Sequence, residues 1–399
     1  MSETFCILPF IHVNSSVTGK YRPCCNTQKY LSFTDHEVSF RDAFESEEME
    51  NLRLQLLNGE KPDICSVCWK NEERGIRSQR EVNNEKFKDF DQTKGLRFLD
   101  VKFDNKCNLQ CRMCDPYSSN QIWKTFDEVE ELPNHLKHIH LTKEQYEKMD
   151  NSENRKQYVL ESLPDLRFLK CTGGEPFVSN HFLEVLKVAV ESGHSKHITL
   201  SITTNGTKFN RKITELFEHF EAIDINVSVD GTESVYEYIR FPFKYKQWHD
   251  RVIDFLTDME DIDHPKFKIR FSTIVTAYNY LNLFEIQKEI DKIQMMFPFC
   301  SERKLINHFD FDLKPEESEL HAKFLPEHLL LEGYERAKRI HPQLRFTNHP
   351  LQPIYHFANW HRETETKREE LRKSTLILDK QRNQTYKVLD PKLVEWLDE

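Results

Sequence analysis

Three cysteines within eight residues constrain this chain more than any other feature: Cys107, Asn108, Leu109, Gln110, Cys111, Arg112, Met113, Cys114. Three residues and then two separate the thiols. A structural zinc site wants four ligands, usually in pairs two residues apart, and the triplet alone does not supply them. Cysteines at i, i+4 and i+7 would also share one helix face as small apolar residues. Asn108, Gln110, Arg112, Asp115 and Pro116 make that a poor helix. Three thiolates on one loop can instead hold three irons of a cubane cluster and leave the fourth iron open to a ligand.

The surroundings place that loop in an α/β fold. Residues 96–103 alternate apolar and polar side chains as a strand does, and Asp104, Asn105 and Lys106 break the run before the first thiol. Further strand-like runs cover 166–172, 197–204, 222–229, 266–276 and 304–311, several of them ending in Gly, Asn or Asp. Helical periodicity fills the gaps, as at 180–191 and 248–259, and a long charged loop at 128–156 reads as a helical insertion. Strands alternating with helices imply parallel βαβ units. Six units fit in 96–312, fewer than the eight of a closed barrel of about 250 residues. The expectation is a partial (β/α)6 TIM-like barrel over 93–312. A small cysteine-rich N-terminal domain, 1–92, precedes it, with one helix over 39–58 and a linker or exposed helix over 74–94. A helical C-terminal extension, 313–399, follows, with helices at 316–340 and 353–373.

The chain has 399 residues, a formal charge of −10 and ten cysteines. The charge argues against a dominant nucleic-acid surface. No stretch approaches the ~20 apolar residues of a membrane span, and the first residues lack a signal peptide's basic start and apolar centre. The expected location is cytoplasmic, where thiols stay reduced and clustered cysteines mean metal ligation more than disulfides.

Three further motifs follow successive strand ends. Gly173, Gly174 and Glu175 come after the second strand, where glycines let backbone approach a ligand and a carboxylate can accept from a cationic amine. The third strand ends in Thr203, Thr204, Asn205, Gly206. The fourth ends in Ser228, Val229, Asp230, Gly231. Both tetrapeptides are good turn formers, yet polar groups at neighbouring strand ends would also line one rim.

Together these motifs resemble the radical SAM superfamily. The triplet after the first strand is similar to the family's cluster loop, the Gly173–Gly174–Glu175 turn to the motif that binds the methionine amino group, and the next two strand ends to signatures of the SPASM/Twitch group. The resemblance implies a [4Fe-4S] cluster on Cys107, Cys111 and Cys114. Its open iron would be chelated by S-adenosylmethionine, whose reductive cleavage gives a 5′-deoxyadenosyl radical that abstracts hydrogen from a substrate. It further implies that Ser228 contacts ribose, that Arg240 is a candidate for the methionine carboxylate or ribose, and that Val275, on the fifth strand, packs on adenine. Thr203, Asn205 and Asp230 would complete the cofactor site. Met113 stands where the family often has an aromatic residue, and its adenine contact would be largely backbone.

A second pattern precedes the barrel: Cys6, then Gly19 and Cys24, then Cys65 and Cys68. It resembles the opening of SPASM and Twitch domains, which carry auxiliary iron–sulfur clusters. Those domains usually follow the barrel, and the full seven-cysteine SPASM set is absent, so one auxiliary cluster is expected. A four-cysteine zinc ribbon is the competing reading. Cys25 is read as a spare buried thiol. Asn307, His308, Asp310 and Asp312 are read as cavity-facing or as the wet face of a strand, and Asp379 with Arg382 as a turn held by charge. The group resemblance points to a peptide or protein substrate first and a small molecule or nucleotide second, with an external electron donor of flavodoxin or ferredoxin type. A zinc-stabilised binding protein is the reading from another class.

Overall fold

In the computed structural model of the chain, the strands are short and lie in one sheet, with helices between them in sequence. The structure describes residues 2–27, 29–32, 38–73, 77–126, 131–137, 139, 142–148, 152–209, 211–298, 306–310, 318–340 and 365–399. Eight strands are present among these: β1 His12–Ser15, β2 Tyr21–Arg22, β3 Phe98–Lys102, β4 Phe168–Thr172, β5 Thr199–Thr204, β6 Ala222–Ser228, β7 Phe267–Ile274 and β8 Ile306–Asp310. The sheet order is β2-β1-β3-β4-β5-β6-β7-β8. The pairs β1–β3, β3–β4, β4–β5 and β7–β8 are parallel, and β1–β2 is antiparallel.

The six strands expected from the sequence are β3 to β8, in sequence order across the sheet. The cysteine-rich section adds two more. His12, Val13 and Asn14 pair with Phe98, Leu99 and Asp100, so β1 covers the edge that β3 would otherwise present.

By Cα proximity the chain divides into two compact units, 1–105 with 142–202 and 216–223, and 106–141 with 203–215 and 224–399. They cut across the three sections read from the sequence. In the first unit, Phe5, Ile7, Leu8, Ile11, Phe87, Phe98 and Phe168 form one buried cluster. The ring centroids of Phe87, Phe98 and Phe168 lie 4.7–5.4 Å apart, edge-on or tilted, contacts worth about 0.5–1.5 kcal/mol each beyond area burial. Helix Asn180–Glu191 buries Phe182, Val185, Leu186 and Ala189, the i, i+3, i+4, i+7 stripe that a sheet-packed helix needs.

In the second unit, β6 alternates buried Ile225 and Val227 with half-buried Asp224, Asn226 and Ser228. Helix Tyr245–Ile262 buries Tyr245, Trp248, Val252, Phe255, Leu256 and Met259, and ends on Asp263 in the left-handed conformation, φ 48°.

The expected helix over 39–58 is two helices, Phe40–Phe44 and Glu47–Leu57. Ser39 and Ser46 each cap a new N-terminus by accepting a backbone N–H. The segment 74–94 contains helix Gln79–Lys86, opened by a Ser78–Glu81 capping box. Of the C-terminal helices, Glu327–Ile340 and Glu365–Arg382 are present; 341–364 lies outside the described residues, as do Cys300 and Asp312. No described helix is long and apolar enough to cross a membrane.

Candidate functional site

The loop after β3 is held by backbone before any ligand is considered. Gln110 N–H donates to Phe241 O at 2.7 Å, and Arg112 N–H donates to Ile239 O at 3.0 Å. Cys107 N–H donates to Asn120 Oδ1 at 3.0 Å, and Ser119 Oγ donates to Leu109 O at 2.6 Å. Side chains alternate in role along this loop. Cys107, Leu109 and Cys111 form a buried cluster, with Met113, Cys114 and Phe243 packed against it.

None of the three thiols is in a disulfide, and they differ in environment. Cys111 and Cys114 are hydrogen-bonded to each other. That bond lowers the Cys111 thiol's pKa and, together with burial, raises that of Cys114. The nearby guanidinium groups of Arg240 and Arg382 also favour the Cys111 thiolate. Asn205 Nδ2 lies 3.8 Å from Cys107 Sγ and donates to Asn108 Oδ1 at 3.1 Å. Asn205 Oδ1 accepts from Thr207 N and Oγ1 at 3.0 and 2.6 Å, and Asn108 Nδ2 donates to Thr207 Oγ1 at 2.8 Å. The turn after β5 thus braces the first cysteine.

Other residues singled out in the sequence take varied places. Thr203 and Ser228 are half-buried near the ends of β5 and β6. Asp230 and Arg240 form a buried ion pair, with Arg240 Nε donating to Asp230 Oδ2 at 2.7 Å. Asp230 Oδ1 also accepts from Ile274 N–H at 2.9 Å. Burial pushes the Asp230 carboxyl pKa upward against the lowering effect of Arg240. Val275 is fully buried. Gly206 has φ 74°, and a Cβ there would stand 2.8 Å from Trp248 Nε1.

In the first unit, Gly173 and Gly174 have φ of 75° and 54°, and a Cβ on Gly173 would lie 2.6 Å from Lys102 Cγ. Glu175 is buried and accepts from Phe177 N–H at 3.3 Å, capping the short helix Pro176–Val178.

Cys6, Cys24, Cys65 and Cys68 line a single cavity together with Gln79 and Arg80. Burial pushes Cys6 and Cys65 up to about 12, and raises Cys24 and Cys68. Four neutral thiols on one cavity form a donor set suited to a thiophilic metal or cluster. Cys25 is exposed, against the expectation that it is buried: it sits in the turn after Cys24, outside the apolar cluster on which Cys6 and Cys24 pack. Among the described residues, no three His, Cys, Asp or Glu side chains are arranged to hold a single metal ion. On both loops the fit to a cluster rests on the thiol donor sets.

The sequence reading missed the partners of Arg112. Its Nε donates to Tyr238 O at 3.0 Å, its Nη2 donates to Asp379 and to Gln384 Oε1, and its guanidinium stacks 3.5 Å from the Tyr238 ring centroid. Asp379 and Arg382 therefore do more than hold a turn: both reach the cysteine loop from helix Glu365–Arg382. The only sequence signal was their charge in an otherwise amphipathic segment.

Residues 101–290 match the family model described as Radical SAM superfamily. Over 195 residues the chain is 26% identical to an uncharacterised protein of Methanocaldococcus jannaschii, covering 49% of this chain and 58% of that protein. Over 205 residues it is 24% identical to a GTP 3′,8-cyclase of Synechocystis, covering 51% and 53%. The match therefore spans little more than half the length of either relative. Solved structures with a partial likeness include SuiB of Streptococcus suis bound to S-adenosylmethionine, at 15% identity, 75% of this chain, 58% of that chain and TM-score 0.36. Another is anSMEcpe with bound AdoMet, at 15%, 70%, 66% and 0.36. Beginning within β3 and taking in the three-cysteine loop, the stretch from residue 101 to residue 290 is similar to the Radical SAM superfamily.

Proposed function

We propose that this protein is a radical SAM enzyme that reductively cleaves S-adenosylmethionine and abstracts hydrogen from a peptide or protein side chain. The observation that carries the reading is the position of Cys107, Cys111 and Cys114: two buried thiols and a third packed against them, on a backbone-anchored loop at the start of the stretch that matches the radical SAM family. When bound, the [4Fe-4S] cluster and S-adenosylmethionine supply electron transfer and the adenosyl radical; the chain supplies binding, orientation and exclusion of water.

Cys107, Cys111 and Cys114 would ligate three irons. Glu175 would accept the methionine ammonium, with Gly173 and Gly174 allowing close backbone approach. Thr203, Asn205, Ser228 and Val275 would meet the ribose and adenine, with Met113 contributing backbone. Arg240 would take the methionine carboxylate or a ribose hydroxyl, held in position by Asp230. Cys6, Cys24, Cys65 and Cys68 would hold one auxiliary cluster, making 1–92 a Twitch-like domain before a barrel at 93–312 and an extension at 313–399. An external electron donor and a cytoplasmic setting complete the reading.

A second substrate reading, a nucleotide, is favoured by the relatives named GTP 3′,8-cyclase. Anaerobic reconstitution, dithionite reduction and assay for 5′-deoxyadenosine test the core reading. Wild-type protein is expected to make it and Cys111→Ala protein to make none; equal production by both overturns the assignment. Turnover stimulated by GTP but not by peptide pools would replace the peptide reading.

A further inference from the structure

Two arginines and one carboxylate are buried together beside the cysteine loop. Arg112 and Arg382 are 1% and 9% exposed, and Asp379 is 6% exposed. Asp379 is committed to Arg112 and also accepts from Tyr386 N–H at 2.7 Å. Among the described residues, Arg382 Nε and Nη1 and Arg112 Nη1 have no hydrogen-bond partner. Arg112, Arg382, Leu378 and Gln381 line one cavity with Cys111 and Cys114. His135 also lines it, but its ring pairs with Glu319 at 3.2 Å. Arg240, the other cation near Cys111, is already neutralised by Asp230.

A desolvated guanidinium without a counter-charge costs several kcal/mol. Burial and the repulsion of Arg112 pull the Arg382 guanidinium down to about 9, the mark of a cation lacking its anion. Among the described residues, the anionic groups that line the cavity are the thiolates of Cys111 and Cys114 once ligated, since metal ligation deprotonates cysteine. Three thiolates on a four-iron core carry net negative charge, and reduction adds one more. Iron–sulfur potentials respond to such local charge and to hydrogen bonds on sulfur.

We infer that Arg382, delivered by the C-terminal helix, is a positioning residue that supplies the counter-charge of the cluster on Cys107, Cys111 and Cys114 and raises its reduction potential. The inference rests on the proposed cluster site. Through this residue the C-terminal extension closes the electrostatics of a loop more than two hundred residues earlier in the chain.

The test is an anaerobic redox titration of reconstituted wild-type, Arg382→Gln and Arg382→Lys protein, with dithionite as reductant. The electron paramagnetic resonance signal that changes on adding S-adenosylmethionine identifies the relevant cluster. Arg382→Gln should disfavour reduction tenfold or more, a fall of about 59 mV for one electron, and Arg382→Lys should recover most of it. A Gln variant that folds but no longer retains the cluster, while the Lys variant does, supports the same role. A Gln potential within twofold of wild type, or a Lys shift as large as the Gln shift, overturns it. Thermal melting of apo-protein gives a second readout: Arg382→Met should be at least as stable as wild type, because an unpaired buried cation is removed, and a large loss would overturn the inference. Wild-type protein lacking any S-adenosylmethionine-sensitive signal would instead sink the cluster assignment itself.

Discussion

Asp379 accepts a hydrogen bond from Arg112, the residue next to the second cysteine of the loop, across a separation of 267 positions. The contact joins the last third of the chain to the cysteine loop. Removing the carboxylate would leave Arg112 buried without its counter-charge, a change that costs about 3–5 kcal/mol. Asp379→Ala apo-protein should unfold at lower urea by that amount. A loss below about 1 kcal/mol would show that the pair carries no such weight.

Asn205 braces the first cysteine through Asn108 and Thr207. Asn205→Ala removes the side-chain donor nearest Cys107 Sγ and leaves Asn108 Oδ1 and the Thr207 N–H without their partner. Expected is a stability loss of about 1–3 kcal/mol and faster loss of iron from reconstituted protein on chelator challenge. Wild-type iron retention in the variant would remove Asn205 from the site.

Gly206 is held at φ 74° with Trp248 against its α-carbon. Gly206→Ala adds left-handed strain of about 1–2 kcal/mol and a clash with an indole that packs on Phe271 and Tyr236. Near-ultraviolet circular dichroism should report a displaced tryptophan along with the lower unfolding midpoint. Gly193, also at positive φ but with open space around it, is the control in which only the strain is paid.

How far the sequence reaches is visible in these residues. The strands β3 to β8 are legible because each is a short alternating run flanked by turn formers, and helix Asn180–Glu191 because its stripe is regular. The thiols stand out because three fall within eight residues. Asn108, Arg112 and Asp379 are not, because a polar residue's partner is set by tertiary placement and leaves no local pattern. The pairing of β1 with β3 is hidden for a similar reason: a four-residue strand, His12–Ser15, buried along its whole length has no alternation to detect.

His12 gives a pH prediction within the first unit. It is buried, its Nδ1 donates to Pro23 O at 2.9 Å, and its ring lies 4.2 Å from that of Phe98. Burial pushes its pKa down to about 4, so the folded protein keeps the ring neutral while the unfolded chain takes a proton near 6.5. The unfolded state therefore binds more protons between those values. Stability is fully present above about pH 6.5 and is lost as pH falls toward 4, by about 3 kcal/mol from this group. Urea midpoints at pH 7 and pH 4.5 should show the slope, and His12→Gln should flatten it. An unchanged slope in the variant would assign the effect to other groups.

The parallel pairing of β1 with β3 also orders events during synthesis. His12–Ser15 leaves the ribosome well ahead of Phe98–Lys102, and at roughly 5–20 residues per second it waits several seconds for its partner. During that interval Cys6 and Cys24 exist without the sheet and the Phe87–Phe98–Phe168 cluster that later back them. A metal captured at those thiols before β3 emerges would be held by an unfolded segment. If the proposed auxiliary site forms, its loading would follow the pairing of β1 with β3, and a nascent chain stalled before residue 98 should exchange thiol-reactive probes freely at both cysteines.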